Sequence, residues 1–341
     1  MLFPYKYVNH DMEKMQKYMD YIFFEVWMKA KFHDDFSLSL FDKNKELKEI
    51  IFYFSYKDGS PKYGKEFVER VMKIFKIFKE LNSYHLKLLR KWYLSNNNIK
   101  EICRGNKKPI RYKDIFFNKE LKDLFYELYS NLYEQNYLGL KNKDEHYKSF
   151  FETNTIRHCP FCGLSKMKGN LHTKKEAYDH YFPQEKYPFN TINFYNLVPT
   201  CNTCNSSYKL RKDPLYLNDK IKRKAYYPYR TKNTSINILF EIKGKTLNLD
   251  IKTSELESEE LETWKEVYSI EERYKALCDF MDEGGSWIED ARIYIEEGKG
   301  TFNDFISDVE MLLDKHPNPY HESRFLKVPF LKACQSAGIN P

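Results

Sequence analysis

Four cysteines in two close pairs carry the clearest chemistry in this 341-residue chain. Cys159 and Cys162 enclose Pro160 and Phe161, and Cys201 and Cys204 enclose Asn202 and Thr203. Each spacing suits a tight turn that presents two thiolates to one ion. Two such pairs supply the tetrahedral sulfur set that zinc takes when its task is structural. Gly163 directly after the first pair fits such a knuckle. A metal here closes the 38 residues between Cys162 and Cys201 into a loop and adds folding free energy to a segment with few apolar runs. A thiol-exchange site would need only one pair, beside a βαβ pattern. His158 adjoins Cys159 as a fifth candidate ligand, but four thiolates already complete the shell.

Between the pairs lies Asp179-His180, followed by Asn196 and, directly after Cys204, Asn205. These types suit phosphodiester hydrolysis. Histidine takes a proton from water near neutral pH. A hard divalent cation that offsets charge at the phosphate wants oxygen ligands. The Asp179 carboxylate and the Asn205 amide are such donors, His180 is the candidate base, and Asn196 can hold the loop that directs it. Lys209, on the same face as Asn205 if a regular helix starts there, and Arg211 are candidate phosphate contacts.

The run from His158 to Lys212 resembles the HNH nuclease superfamily, in the treble-clef-like version with two Cys-x-x-Cys pairs. Asp179-His180 matches its Asp-His, and Asn196 to Asn205 matches its Asn-Leu-Val-Pro-x-Cys-x-x-Cys-Asn run. The resemblance implies a ββα-metal fold with His180 as general base, Asp179 and Asn205 as catalytic metal ligands and Asn196 as orienting residue. Some of these enzymes carry a second histidine four residues along the helix, where this chain has Lys209. That departure favours Mg²⁺ or Mn²⁺ as the catalytic ion. The string Asp179 to Pro188 is further similar to HNH effectors of bacterial antiphage systems, of the Septu type and retron-associated, which act beside an ATPase partner. The resemblance covers residues 157–214.

The elements around this segment read as helical. Met12, Met15, Met19, Ile22 and Val26 recur at helical spacing, as do Phe67, Val71, Ile74, Phe78 and Leu81, and Leu121, Phe125, Leu128 and Leu132. Lys57 to Pro61 is a break between elements. Arg104 to Lys113 is a basic, turn-containing loop that is either a phosphate contact or a solvated surface. Ser235 to Lys243, Gly244 and the alternating Leu247, Leu249 and Ile251 predict a β-hairpin. Acidic residues at Glu255, Glu257, Glu259 and Glu260 then suit a helix N-terminus, with Leu261, Trp264, Val267 and Tyr268 on one face. Asp282 to Ser286 closes that unit. Thr301 and Asp304 form a capping pair ahead of Phe302, Phe305, Val309 and Leu312.

The fold class is therefore α+β: helical parts at 1–150 and 233–341 flank a zinc-stapled nuclease segment at 151–232. The formal net charge of +7 divides unevenly, at +8, −10 and +9 over those three spans in the same order. The dense central charge suits a polyanion. Seven cysteines do not demand disulfides, and Cys103, Cys278 and Cys334 read as buried thiols. His146 and His172 read as structural. No run is long and apolar enough for a membrane helix and no basic-then-apolar leader opens the chain, so the expected location is the cytoplasm. The expected function is a metal-dependent endonuclease acting on DNA, with RNA open as a substrate. The alternatives are a non-catalytic zinc-knuckle module binding nucleic acid or protein, and a nuclease subunit active only with an ATPase partner.

Overall fold

The computed structural model describes residues 1–132, 143–169, 171–234, 236–254 and 257–341. The chain is α+β, with helices and small two-stranded sheets, and falls into two compact units. One contains Tyr7–Phe150 and Tyr178–Val198; the other contains Met1–Lys6, Phe151–Ala177 and Pro199–Pro341. One change of unit falls after Phe150, and Pro199–Pro341 stays within one unit. The 178–198 stretch belongs with the helices.

The helical unit is built from α1 (Lys14–Tyr21), α2 (Lys45–Tyr56), α3 (Lys62–Glu80), α4 (Ser83–Asn96), α5 (Ile99–Cys103), α6 (Lys119–Leu132) and α7 (Lys143–Thr153), of which α7 ends in the other unit. The three predicted apolar stripes are buried in one core. Lys57–Pro61 separates α2 from α3 as expected. After α1 the chain winds wider over Ile22–Trp27, so that the Met28 N–H reaches the Phe23 carbonyl at 2.9 Å. This turns Phe23 onto Tyr93, stacked at 4.0 Å, and lets the Trp27 indole donate to the Val71 carbonyl at 3.0 Å. Both contacts are buried, where an unmade hydrogen bond costs most.

Into this core comes Phe189, from the stretch joining β1 (Tyr178–His180) to β2 (Leu197–Pro199). Its ring is fully buried against Tyr93, Phe125 and Tyr129, with centroids 5.2–5.4 Å away. Its φ is +79°, an unfavourable region for a bulky residue. Two buried asparagines hold the backbone on either side. Asn96 Nδ2 donates to the Pro188 carbonyl at 3.0 Å, and Asn196 Nδ2 to the Asn190 carbonyl at 3.4 Å. Asn96 also exchanges two bonds of 2.8 Å with the Ile110 backbone.

The second unit carries the small hairpin β3 (Tyr216–Leu217) and β4 (Ile221–Lys222), the longer hairpin β5 (Asn237–Lys243) and β6 (Thr246–Lys252), and helices α8 (Ser258–Tyr268), α9 (Ile270–Leu277), α10 (Glu283–Glu296), α11 (Phe302–Lys315) and α12 (Arg324–Ser336). The longer hairpin is antiparallel, with Ile238 opposite Ile251, Phe240 opposite Leu249 and Ile242 opposite Leu247 on one face. Gly244 turns it at φ +61°. Phe240 meets Phe330 of α12 edge-on. Ser235 and Glu255 lie outside the described residues. Asp282 to Ser286 opens α10 rather than only closing what precedes it. A Cβ on Gly284 would sit 2.4 Å from the Cys278 carbonyl oxygen, and one on Gly285 2.0 Å from that of Phe280, so this tight entry requires glycine. The Thr301–Asp304 capping box forms. The buried face of α11 is Phe302, Ile306 and Val309; Leu312, expected there, is 45% exposed. Cys103, Cys278 and Cys334 are buried free thiols. Among the described residues no helix is long and apolar enough to cross a membrane.

Asn96 satisfies three buried backbone groups with one side chain. Asn96→Ala leaves them unpaired and is expected to cost about 2–4 kcal/mol, read from urea unfolding followed by helical circular dichroism. An unchanged midpoint would show that Asn96 does not clamp these segments.

Candidate metal centre and histidine loop

The first knuckle folds because the chain doubles back tightly over 158–166. His158 bridges Lys166, the Cys159 N–H bonds the Ser165 carbonyl at 2.9 Å, and the Gly163 N–H bonds the Cys159 carbonyl at 2.8 Å. Gly163 holds φ +70°, and a Cβ there would lie 2.6 Å from Leu2 Cδ1. The second knuckle opens a π-wound turn, Cys204–Lys209, with the Asn205 N–H on the Cys201 carbonyl at 3.0 Å. The Cys204 N–H points at Cys201 Sγ from 3.4 Å.

These turns bring Cys159, Cys162, Cys201 and Cys204 together, all buried, with their sulfurs within 4.8 Å of one another. They are positioned to hold a metal ion. A tetrahedral ion with metal–sulfur bonds of about 2.3 Å spaces its sulfurs about 3.8 Å apart. Cys162 Sγ and Cys201 Sγ already stand 3.9 Å apart. Burial pushes the Cys159 thiol up, whereas its hydrogen bond with Cys159 holds Cys162 down. Such a quartet sheds all its protons only when a cation takes their place.

Helices α8 and α9 support the quartet. The Trp264 indole donates to the Phe161 carbonyl at 2.7 Å, and the Tyr274 hydroxyl donates to the Cys162 carbonyl at 2.9 Å. Arg273, buried, donates from Nη1 to Cys204 Sγ at 3.2 Å and lies over the Tyr208 ring. Burial works against its charge, but Cys204 and Cys162 hold the guanidinium above its ordinary value. The sequence assigned Arg273 no role; it stands 69 residues from its sulfur. His158 turns away from the ligand role: its Nδ1 meets Asn318 Nδ2 at 2.8 Å.

In the helical unit, β1 carries Asp179, buried, and His180, half-buried. His180 Nε2 lies 3.0 Å from the Thr191 carbonyl oxygen. A carbonyl only accepts, so Nε2 carries the proton and Nδ1 is the basic nitrogen. Asn196 is fully buried. Its Oδ1 accepts from the Phe182 N–H at 2.8 Å, and its Nδ2 donates to the Phe182 and Asn190 carbonyls. It therefore fixes both ends of the 182–190 loop, one residue short of the carbonyl that orients His180. Asn190 is fully buried, and neither atom of its side-chain amide has a hydrogen-bond partner among the described residues; the same holds for Thr191 Oγ1. Neither residue was singled out from sequence.

Asn205 and Asp179 belong to different units, and each stands with its own surroundings. Lys209 is fully buried, and the regular helix that would set it on the face of Asn205 does not form. The cause is the winding: the Leu210 N–H bonds Asn205 at 3.0 Å, five residues back, and Leu210 then leaves the helix at φ +47°. Arg211 is exposed. His146 is buried with Nδ1 at 2.5 Å from the Tyr178 hydroxyl, and burial, with His10 nearby, lowers its pKa to about 4. His172 is exposed and accepts from the Gly169 N–H.

No family model, curated protein or solved structure matches this chain.

Purified protein is expected to carry one tightly held divalent ion per chain. Replacing the charged partner of the sulfurs, as in Arg273→Met, should weaken retention about 10–100-fold. Competition with a chromogenic chelator measures this, and unchanged retention would deny Arg273 its part. His146 generates a pH effect. Its folded pKa lies below the unfolded value of about 6.5, so the unfolded chain binds the extra proton. Its contribution to stability is complete above about pH 6.5 and falls away towards about pH 4. His146→Gln should flatten that part of a stability-against-pH curve.

Proposed function

We propose that this chain is an HNH-type endonuclease that hydrolyses phosphodiester bonds of DNA, with zinc at its four cysteines. The observation that carries the reading is the state of His180. It sits on a short strand with Nε2 committed to the Thr191 carbonyl, so Nδ1 is the nitrogen that accepts a proton. The buried amide of Asn196 secures the loop behind it. A histidine held in one tautomer by a backbone carbonyl suits general-base work near neutral pH.

In this reading His180 Nδ1 takes the proton of a water that attacks phosphorus. Asp179 and Asn205 supply hard oxygen ligands for Mg²⁺ or Mn²⁺, which offsets charge at the phosphate when bound. That pairing rests on the sequence pattern. Asn196 is a positioning residue that acts through the 182–190 loop. Zinc suits the quartet because four thiolates match its structural preference and it brings no redox chemistry. An ATPase partner in antiphage defence is part of the same proposal, carried by the Asp179 to Pro188 string.

The test is cleavage of supercoiled plasmid by the full chain with Mg²⁺ or Mn²⁺. His180→Ala is expected to lower the rate about 10²–10⁴-fold while zinc content stays at the wild-type level. Equal cleavage by both proteins would assign the activity elsewhere. A wild type that binds DNA but never nicks it, with either ion and with an ATPase partner supplied, would leave the non-cutting zinc-knuckle module as the better description.

A further inference from the structure

The helical unit contains a cavity of about 810 Å³ between α4 and the 104–116 segment. Lys87, Arg90, Lys91, Lys107, Lys108 and Lys113 line it. The first three share one face of α4, at positions i, i+3 and i+4. The others come from the loop, which is tied along the end of α4. Asn96 clamps Ile110 from both sides, and the Ser95 hydroxyl donates to the Lys108 carbonyl at 2.9 Å. The clamp fixes six cations around one space. Cations gathered around one space favour an anionic ligand there.

Among the described residues no carboxylate comes within ion-pairing distance of Lys87, Lys91, Lys107 or Lys108. The one acidic side chain in the lining, Asp114, caps the Arg111 N–H at 2.8 Å. The lining also has an apolar component, with Trp92 and Leu94 from α4 and the Phe116 ring, which is 83% exposed. A cationic cleft with an exposed ring is the combination that holds a strand with unpaired bases: cations follow the phosphates and a base stacks on the ring. A duplex backbone alone would need no ring. The volume suits a ligand of nucleotide size.

We propose that this cavity is a binding site for single-stranded nucleic acid, with phosphates on the α4 and loop cations and a base against Phe116. The site binds the strand without cutting it. It stands apart from the nuclease reading, because binding is measured without a divalent cation.

The experiment is fluorescence anisotropy of a labelled oligothymidylate with the full chain over a salt series. The triple variant Lys87→Gln/Lys91→Gln/Lys108→Gln is expected to bind at least about tenfold more weakly. Its slope of log affinity against log salt should be shallower by about 2, for three lost phosphate contacts. The control Lys65→Gln/Lys73→Gln/Lys76→Gln removes the same charge from α3, outside the cavity, and should stay near wild type. Phe116→Ala should weaken binding about tenfold with the salt slope unchanged. All these side chains are exposed, so none carries the fold. Equal losses from the two triples would overturn the proposal. So would a silent Phe116→Ala, or a duplex of the same length that binds more tightly than the single strand.

Discussion

Four sulfurs buried around one point set a charge problem, and the unit that holds them is arranged as its solution. Each of the two turns is closed by its own backbone bond, one at Gly163 and one at Asn205. Helices α8 and α9 then supply a donor to the carbonyl of Phe161, a donor to the carbonyl of Cys162 and a guanidinium to the sulfur of Cys204. A dianionic metal–thiolate centre is tolerable in a buried place when a buried cation and oriented N–H and O–H groups face it. This is why the acidic 233–341 span does not form a domain apart. Its first two helices complete the knuckles.

The helical unit solves a different problem, which is how to hold one histidine at a fixed angle on a very short strand. The answer runs through Phe189. Its ring is locked among Tyr93, Phe125 and Tyr129, its strained backbone is gripped at residue 188 by Asn96 and at residue 190 by Asn196, and residue 191 offers its carbonyl to His180. A three-residue strand has little stiffness of its own. Here the aromatic core of the surrounding helices supplies it. Asn96 also ties down the basic loop through Ile110, so one side chain joins the cationic cavity and the histidine loop in a single hydrogen-bonded frame.

Much of this was legible where spacing repeats. The stripes of α1, α3 and α6, the hairpin around Gly244, the Thr301–Asp304 cap and the clustering of the cysteines follow from local rules. What escaped is long-range or depends on winding. Lys209 was placed by regular helical spacing, but the turn from Cys204 is π-wound and buries it. Leu312 continued an apolar stripe, but α11 turns its Ile306 inward instead. The Gly284–Gly285 pair looks like a terminator, and only the carbonyls of Cys278 and Phe280 show why glycine is needed there. Arg273 and Asn96 drew no role from the sequence, since their partners lie far along the chain or on the backbone. The basic loop was visible as a loop, but its convergence with Lys87, Arg90 and Lys91 needed the fold.

The chain passes from one compact unit to the other after residues 6, 150, 177 and 198. Neither unit is therefore a contiguous cassette that recombination could move in one piece. A fragment ending at Phe150 would retain α1 to α6 but lose the ring at their centre and the loop that aims His180. On the ribosome that core stays open until Val198 has emerged, by which time Cys159 and Cys162 are already waiting for their partners. The helical unit is thus complete at Val198, whereas the other still waits for α8, α9 and the rest of the chain to Pro341, and inheritance has to keep the two together.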